Sequence, residues 1–290
     1  MRIREEMVVV PGGQLWTATS GTGIPLVLCH GGPGAYDYLE PVAQMVDDIA
    51  EVHRFDQRGG GRSTRDGPHT VASLVADIER LRIHWGHERW LVGGQSRGAH
   101  LALFYALAHP ERTDGVVFMN GTGIRWGWGP ARRSTRMKRL SEGEQQEVLR
   151  LERAVADGDG EAPLERLHEL WWLTDFADRT VAARSGRYDA YPRDPEVIVS
   201  LERDWQATLD QIERQLALLD APALVLHGDS DPIGQDGPRE VARLLRRSTF
   251  VILERVGHLP WLEDPETLRQ ALRRFLAEHA GPAAIGPGHA

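Results

Sequence analysis

The run Leu91-Val92-Gly93-Gly94-Gln95-Ser96-Arg97-Gly98-Ala99-His100 restricts the fold of this chain more than any other stretch. A short apolar segment enters Gly94-x-Ser96-x-Gly98 and leaves directly into a helical pattern, Ala99 to His109. Passing from strand to helix in so few residues brings backbones close together, which calls for glycine on both sides of Ser96. A turn of this form pushes the serine hydroxyl out beyond the end of the sheet, and the strand before and helix after are the context that gives it meaning. Gly-x-Ser-x-Gly alone also occurs in ordinary turns. The question for the rest of the chain is whether it supplies partners for Ser96.

A chain of 290 residues can form one large domain or two modest ones. Apolar residues at 41% and charged residues at 26% are ordinary for a globular protein. The net charge of −8 argues against a nucleic-acid surface. One local basic run, Arg132-Arg133-Ser134-Thr135-Arg136-Met137-Lys138-Arg139, reads as the solvated face of a helix or loop, with attraction of an anionic substrate as the alternative. The single cysteine, Cys29, cannot form an internal disulfide and sits in an apolar run as a buried thiol. The charged start Met1-Arg2-Ile3-Arg4-Glu5-Glu6 lacks an apolar signal region, and no stretch reaches the ~20 apolar residues of a membrane span. These features predict a cytoplasmic protein with no membrane or nucleic-acid partner. Gly281 to Ala290 reads as a loose tail.

Met7–Val10 and Leu15–Thr19 around Pro11-Gly12-Gly13 read as a hairpin. Ile24–Cys29, Trp90–Gly93, Gly115–Met119, Ala223–His227 and Thr249–Leu253 are largely apolar runs of strand length, and Val52–Phe55 reads as one more strand. Such runs suit parallel strands buried on both faces. Between them lie helical patterns at Leu39–Ile49, at Val71–Trp85 behind a Thr70 cap, at Leu101–Leu107, at Pro238–Leu245 and at Pro265–Ala277. The alternation predicts an α/β fold, a mostly parallel central sheet with helices on both faces. It is interrupted from about Gly123 to Trp205, a stretch rich in charge and tryptophan (Trp126, Trp128, Trp171, Trp172, Trp205) with helical segments near Ser141–Ala156 and Leu164–Leu173. This reads as a helical cap inserted after a central strand. The expected division is a core of residues 1–122 and 206–280, a cap of 123–205, and a tail of 281–290.

Four loops follow predicted buried strands: His30–Gly34, Gln95–Arg97, Asp229–Asp231 and His258. In one parallel sheet the carboxyl ends of the strands share an edge, so the fold itself would bring these loops together. Each contributes a residue type that acyl-transfer chemistry needs. A serine hydroxyl is a weak nucleophile until a base takes its proton, and His258 is the candidate base. The other ring nitrogen needs an acid to hold its tautomer, and Asp231 is the candidate. Asp229 reads as a turn residue, and Asp56, between Arg58 and Arg62, as part of a loop-bracing ion pair. The developing oxyanion needs fixed donors: the amide of Arg97 and one from the glycine loop, Gly32 or Gly31.

His30-Gly31-Gly32-Pro33-Gly34, Asp56-Gln57-Arg58-Gly59-x-Gly61-Arg62-Ser63, Gly94-x-Ser96-x-Gly98, Gly228-x-x-Asp231-Pro232 and Gly257-His258 together resemble the α/β-hydrolase fold, and within it the proline iminopeptidase family. The order Ser, Asp, His along the chain is that of α/β-hydrolases. The resemblance implies a serine hydrolase needing neither cofactor nor metal, with Ser96, Asp231 and His258 as triad. The implied substrate is a small molecule or short peptide bearing an N-terminal proline or small apolar residue. Members of that family often carry an aromatic residue after the nucleophile, where this chain has Arg97. They bind the substrate's amine with glutamates, one in the cap and in some members one directly after the triad aspartate, where this chain has Pro232. Glu196 and Glu202 are the candidates for a cap carboxylate. A carboxylesterase or lactonase acting on small hydrophobic esters is the alternative, and a ligand-binding protein without turnover is a third reading. Neither the acyl group nor the oligomeric state is legible.

Overall fold

The computed structural model describes residues 2–125, 128–188 and 191–279, apart from the side chains of Trp128 and Asp210. The expected tail, 281–290, and Trp126 lie outside the described residues. Among the described residues, eight strands form one sheet: β1 (Arg4–Val10), β2 (Gly13–Gly21), β3 (Ile24–Cys29), β4 (Ala50–Phe55), β5 (Trp90–Gln95), β6 (Thr113–Met119), β7 (Ala223–Gly228) and β8 (Ser248–Leu253). Their spatial order is β1-β2-β4-β3-β5-β6-β7-β8. β1 and β2 form the expected antiparallel hairpin, β2 pairs antiparallel with β4, and all later neighbours are parallel.

The helices are α1 (Glu40–Ala43), α2 (Val71–His84), α3 (Arg97–Ala108), α4 (Trp128–Lys138), α5 (Glu142–Asp157), α6 (Glu161–Thr174), α7 (Arg179–Arg184), α8 (Pro195–Leu216), α9 (Asp236–Leu244), α10 (Pro260–Glu263) and α11 (Pro265–His279). Alternate strand residues enter two different cores. Val27, Cys29, Val92, Val116, Phe118 and Val225 pack with α2, α3, α8 and α9 on one face. Leu26, Leu28, Leu91, Val117, Met119 and Leu224 pack with α1 and α11 on the other. This is the period of two along a strand, and it explains why the central strands are apolar throughout. At the edge, β1 buries Val8 and Val10 while Met7 and Val9 are exposed.

Thr70 caps α2 as expected, its hydroxyl accepting from the Ser73 amide at 3.1 Å. Ser141 and Glu144 form a capping box at the start of α5, and Gly158 closes that helix in the left-handed region.

Two expectations need correction. Leu39–Ile49 is not one helix: α1 ends at Ala43, and tight turns follow, Met45 N to Val42 O, Val46 N to Ala43 O and Ile49 N to Val46 O. The chain must reverse here to enter β4, and Ile24 N takes the Ile49 carbonyl at 3.1 Å. The boundary expected at 205/206 falls inside α8. That helix carries one unbroken apolar stripe, Val197, Leu201, Trp205, Leu209, Ile212 and Leu216, laid against the same core as α2 and α3. A stripe with helical spacing keeps one face buried along its whole length, so nothing ends the helix at Trp205. Helices α4 to α8 all lie between β6 and β7 in sequence, with no strand among their described residues.

Candidate active site

Ser96 joins β5 to α3 with φ 56° and ψ −120°, a positive φ that a non-glycine residue rarely adopts. Such strain persists only where the surroundings enforce it. Here the enforcement is steric. A Cβ on Gly94 would collide with the Gly98 carbonyl, and one on Gly98 with the carbonyls of Cys29 and His30. The two glycines let α3 start directly on top of β5 and β3. Ser96 is also fixed from the next strand, its amide donating to Met119 O at 2.9 Å.

The loops after β3, β5, β7 and β8 meet at one edge of the sheet. The His258 imidazole contacts Asp231 through Nδ1 and Oδ2 at 2.7 Å, both residues buried. Asp231 is held from three sides. Asn120 Nδ2 donates to Oδ2 at 2.9 Å, the Ile233 amide donates to Oδ1 at 2.9 Å, and the buried His227 ring lies 4.0 Å from Oδ2. Burial alone would raise its pKa. The neighbouring His258, reinforced by His227 and the Asn120 hydrogen bond, outweighs burial and holds the carboxyl well below the usual range. A carboxylate so placed orients Nδ1 and stabilises positive charge on the ring. Asp229 instead serves the turn, accepting from Arg255 N and Ser230 Oγ at 2.8 Å each.

The glycine loop packs against Ser96. A Cβ on Gly31 would lie 2.8 Å from Ser96 Cβ and 2.7 Å from the Tyr38 hydroxyl. The Gly31 amide donates to that hydroxyl at 2.8 Å, and the hydroxyl donates to Gln95 Oε1 at 2.6 Å. The Gly31 N–H is thus committed to Tyr38, and Gly32, the other glycine of the expected pair, has φ +74°. His30 braces the loop. Its Nε2 accepts from the Gln57 amide at 3.1 Å, which leaves Nδ1 to donate to Gly31 O at 2.9 Å. Asp56 is tied to Arg62 at 2.7 Å as expected, but Arg58 pairs with Asp77 on α2 at 2.6 Å. The guanidinium is drawn there because Asp56 already accepts from the Asp37 and Arg62 amides.

The helical insertion reaches the same edge through charged side chains. Arg97 Nη2 lies 2.6 Å from both carboxylate oxygens of Glu202 on α8, with its guanidinium 5.4 Å from the Trp205 ring centroid. Burial lowers the Arg97 pKa and Glu202 opposes that shift. Glu202 therefore already has a cationic partner. Glu196 lies elsewhere, exposed in the first turn of α8 beside Pro195, Val199, Ser200 and Arg203 in a shallow open groove. The basic run is not a solvated face throughout. Arg132 and Arg136 turn inward onto Asp175, which is itself buried. Arg139 donates to the carbonyls of Thr174 and Ser230. Arg133, which pairs with Glu152, and Lys138 follow the expectation and are exposed. The backbone of Asp175 takes the His258 amide at 2.7 Å. A buried acid so close by explains why arginines in this run fold inward: each charge is costly to bury unless paired.

Sequence reasoning missed Asn120, Gln95, Tyr38 and Asp175. Asn120 has φ 48° and joins Asp231 to the Gly257 carbonyl, at 3.0 Å. Gln95 Nε2 donates to His258 O at 2.9 Å. The only signal for Asn120 and Gln95 is position, each at or just past the carboxyl end of a buried strand. Two described tryptophans of the insertion are packing groups: Trp205 is buried against Phe104, and Trp172 contacts Phe176 and donates to Ala182 O.

A serine on a strained strand–helix turn, a buried Asp–His pair and a glycine loop thus share one edge of an α/β sheet. The family profile of the alpha/beta hydrolase fold matches residues 24–265, and the chain belongs to that family. It is 46% identical over 102 residues to a proline iminopeptidase of Xylella fastidiosa, covering 33% of this chain and 31% of that protein. It is 39% identical over 132 residues to a probable proline iminopeptidase of Streptomyces coelicolor, covering 40% and 38%. The matched segments span about a third of the length of these relatives. Among solved structures, an esterase of Thermogutta terrifontis covers 96% of this chain and 100% of its own at TM-score 0.73 and 23% identity. The proline iminopeptidase of Mycobacterium smegmatis covers 96% and 99% at TM-score 0.71 and 21% identity. Esterase and peptidase neighbours are thus alike in fold. No helix among the described residues is long and apolar enough to cross a membrane.

Proposed function

We propose that this hydrolase works through an acyl-enzyme on Ser96. The His258–Asp231 contact at the edge carrying the strained serine is the observation that supports it most. His258 takes the Ser96 proton as the hydroxyl attacks a carbonyl carbon and returns it to the leaving group; water then repeats the cycle on the acyl-serine. Asp231 keeps its charge throughout and steadies the imidazolium. The amides of Gly32 and Arg97 receive the oxyanion, each donor worth about 3 kcal/mol in the transition state. Helices α4 to α8 act as the cap that closes over this edge.

Within that mechanism we take a small neutral ester or amide as the substrate class. Recognition of a free amine would need a carboxylate with charge to spare, and Glu202 is neutralised by Arg97. The peptidase reading rests on the names of the relatives and requires Glu202 to leave Arg97 for the substrate's ammonium. A fluorophosphonate probe tests the nucleophile: one adduct per chain is expected, absent in Ser96→Ala. An adduct that persists in that variant, or none with wild type, overturns the mechanism. Side-by-side turnover of p-nitrophenyl butyrate and proline-β-naphthylamide tests the substrate class. Turnover of the proline amide well above that of the ester restores the peptidase reading.

A further inference from the structure

At the opposite edge of the sheet, two histidines and a glutamate converge in a way that hydrolysis does not use. Glu51 and His53 are alternate residues near the start of β4, so they project from the same face. His87 comes from the connection between α2 and β5. The two imidazole Nε2 atoms lie 2.8 Å apart, and Glu51 Oε2 is 3.7 Å from that of His87. The three donor atoms all fall within 4.8 Å of one another. We propose that Glu51, His53 and His87 form a binding site for a divalent transition-metal ion of the zinc, cobalt, nickel and copper class.

The donor set favours that class, since imidazole suits these ions while calcium and magnesium ask for oxygen ligands alone. The spacing fits as well. Bonds of ~2.0–2.1 Å in a tetrahedron put neighbouring donors about 3.3 Å apart. The two separations that involve His87, 2.8 and 3.7 Å, bracket that value and the third is within 4.8 Å, so an ion would draw the Glu51 carboxylate and the His53 ring together by a side-chain shift.

His53 is already held as a ligand would be. Its Nδ1 lies 3.0 Å from Thr19 Oγ1, and with the ring proton on that side the Nε2 lone pair faces His87. An outer partner of this kind fixes tautomer and ring orientation at metal sites. Trp85 stacks on the ring at 3.9 Å with an interplanar angle of 13°, fixing its plane. Arg82 donates to the carbonyls of His87 and Glu88, holding the loop that carries the second imidazole. The arginines nearby face carboxylates of their own: Arg82 pairs with Glu79, and Arg4 acts on Glu6. His53 is buried, but the side chains of His87 and Glu51 are 16% and 31% exposed, which leaves a path for the ion and room for a water as fourth ligand. Because β3 lies between β4 and β5, the ion would staple two non-adjacent parts of the sheet far from Ser96.

The test is titration of chelator-treated protein with Co2+, followed by displacement with Zn2+. One Co2+ per chain is expected, with the intense visible absorption of four-coordinate cobalt and quenching of indole fluorescence from Trp85. Zn2+ should raise the unfolding midpoint in a concentration-dependent way. His87→Ala should abolish the absorption, and Glu51→Gln should weaken binding by about tenfold or more. Both positions are partly exposed, so the variants should melt like wild type in chelator; if His87→Ala does not, Glu51→Gln decides. Absence of saturable binding up to about millimolar metal overturns the site. So does binding that both substitutions leave unchanged, which would place the ion on other histidines. Ester turnover by the metal-free protein is a separate readout and should not change in Glu51→Gln.

Discussion

The candidate site has two walls, and they are built from different interactions. The sheet wall carries Ser96, Asp231 and His258 on loops fixed by short hydrogen bonds and glycine contacts, with the apolar core directly beneath. The insertion wall reaches the same edge through ion pairs, Arg97 with Glu202 and Arg136 with Asp175. Steric and hydrogen-bond constraints fix atoms to fractions of an ångström, which chemistry at a carbonyl demands. A buried ion pair gives little net stability, because desolvation offsets its attraction, yet breaking it strands a charge. The sheet wall should therefore control the rate of the chemical step. The insertion wall should control what binds, and how firmly the helices stay seated.

The most direct way to break this comparison is at the sheet wall. Ser96→Ala should lower kcat by about 10⁴-fold or more, with KM nearly unchanged, in steady-state ester hydrolysis. Asp231→Asn should cost roughly 10⁴-fold, since an amide at this position favours the wrong His258 tautomer while preserving shape. Gly31→Ala is the steric counterpart. The new methyl would sit 2.8 Å from Ser96 Cβ, so loop or nucleophile must move. A displacement of that order should cost about 10²-fold in kcat. If these losses appeared in KM instead, the division between the walls would be wrong.

The two walls also differ in how much of them can be read from sequence. The strand ends are legible because each is a local pattern: a buried apolar run followed within a few residues by His30-Gly31-Gly32, Ser96, Asp231 or His258. Topology supplies the long-range part, as parallel strands must end on one edge. The insertion has no such rule. Arg97 meets Glu202 across 105 residues and Arg136 meets Asp175 across 39, and a charge in sequence does not name its partner. The basic run thus looks solvated until Asp175 is known to be buried beside it. The length of α8 is a different failure: the stripe Val197 to Leu216 is visible, but the expected domain boundary cuts through it. Asn120 leaves no pattern, since one asparagine after a strand is also an ordinary turn residue.

At the insertion wall, Arg136→Met should be felt in stability before activity. Burial lowers the pKa of this guanidinium and Arg132 lowers it further, while Asp175 opposes them. Removing the arginine leaves Arg132 as the remaining cation on a buried carboxylate. The expected loss is about 3 kcal/mol in denaturant unfolding, the lower end for breaking a buried pair. Arg136→Met with Asp175→Asn should recover part of it, because the buried carboxylate is then no longer left to Arg132 alone. A double variant no more stable than the single one would mean that the pair holds the insertion by geometry rather than by charge balance.

The smallest effect is expected at Arg97, and it sharpens the comparison most because Arg97 belongs to both walls. Its amide lies directly after Ser96 on the sheet wall, while its side chain belongs to Glu202 and Trp205 on the insertion wall. Arg97→Met keeps the amide and removes the charge. Turnover of a neutral ester should then change by less than about tenfold, mostly through KM. The same substitution leaves Glu202 without its cation, so the ratio of proline-β-naphthylamide to p-nitrophenyl butyrate turnover should rise. Parallel assays of wild type, Arg97→Met and Glu202→Gln measure both effects. A kcat loss beyond about 10²-fold on the ester, with KM unchanged, would put the guanidinium itself at the reacting carbonyl. Arg97 would then be part of the chemistry, and the ion pair with Glu202 the means of positioning it.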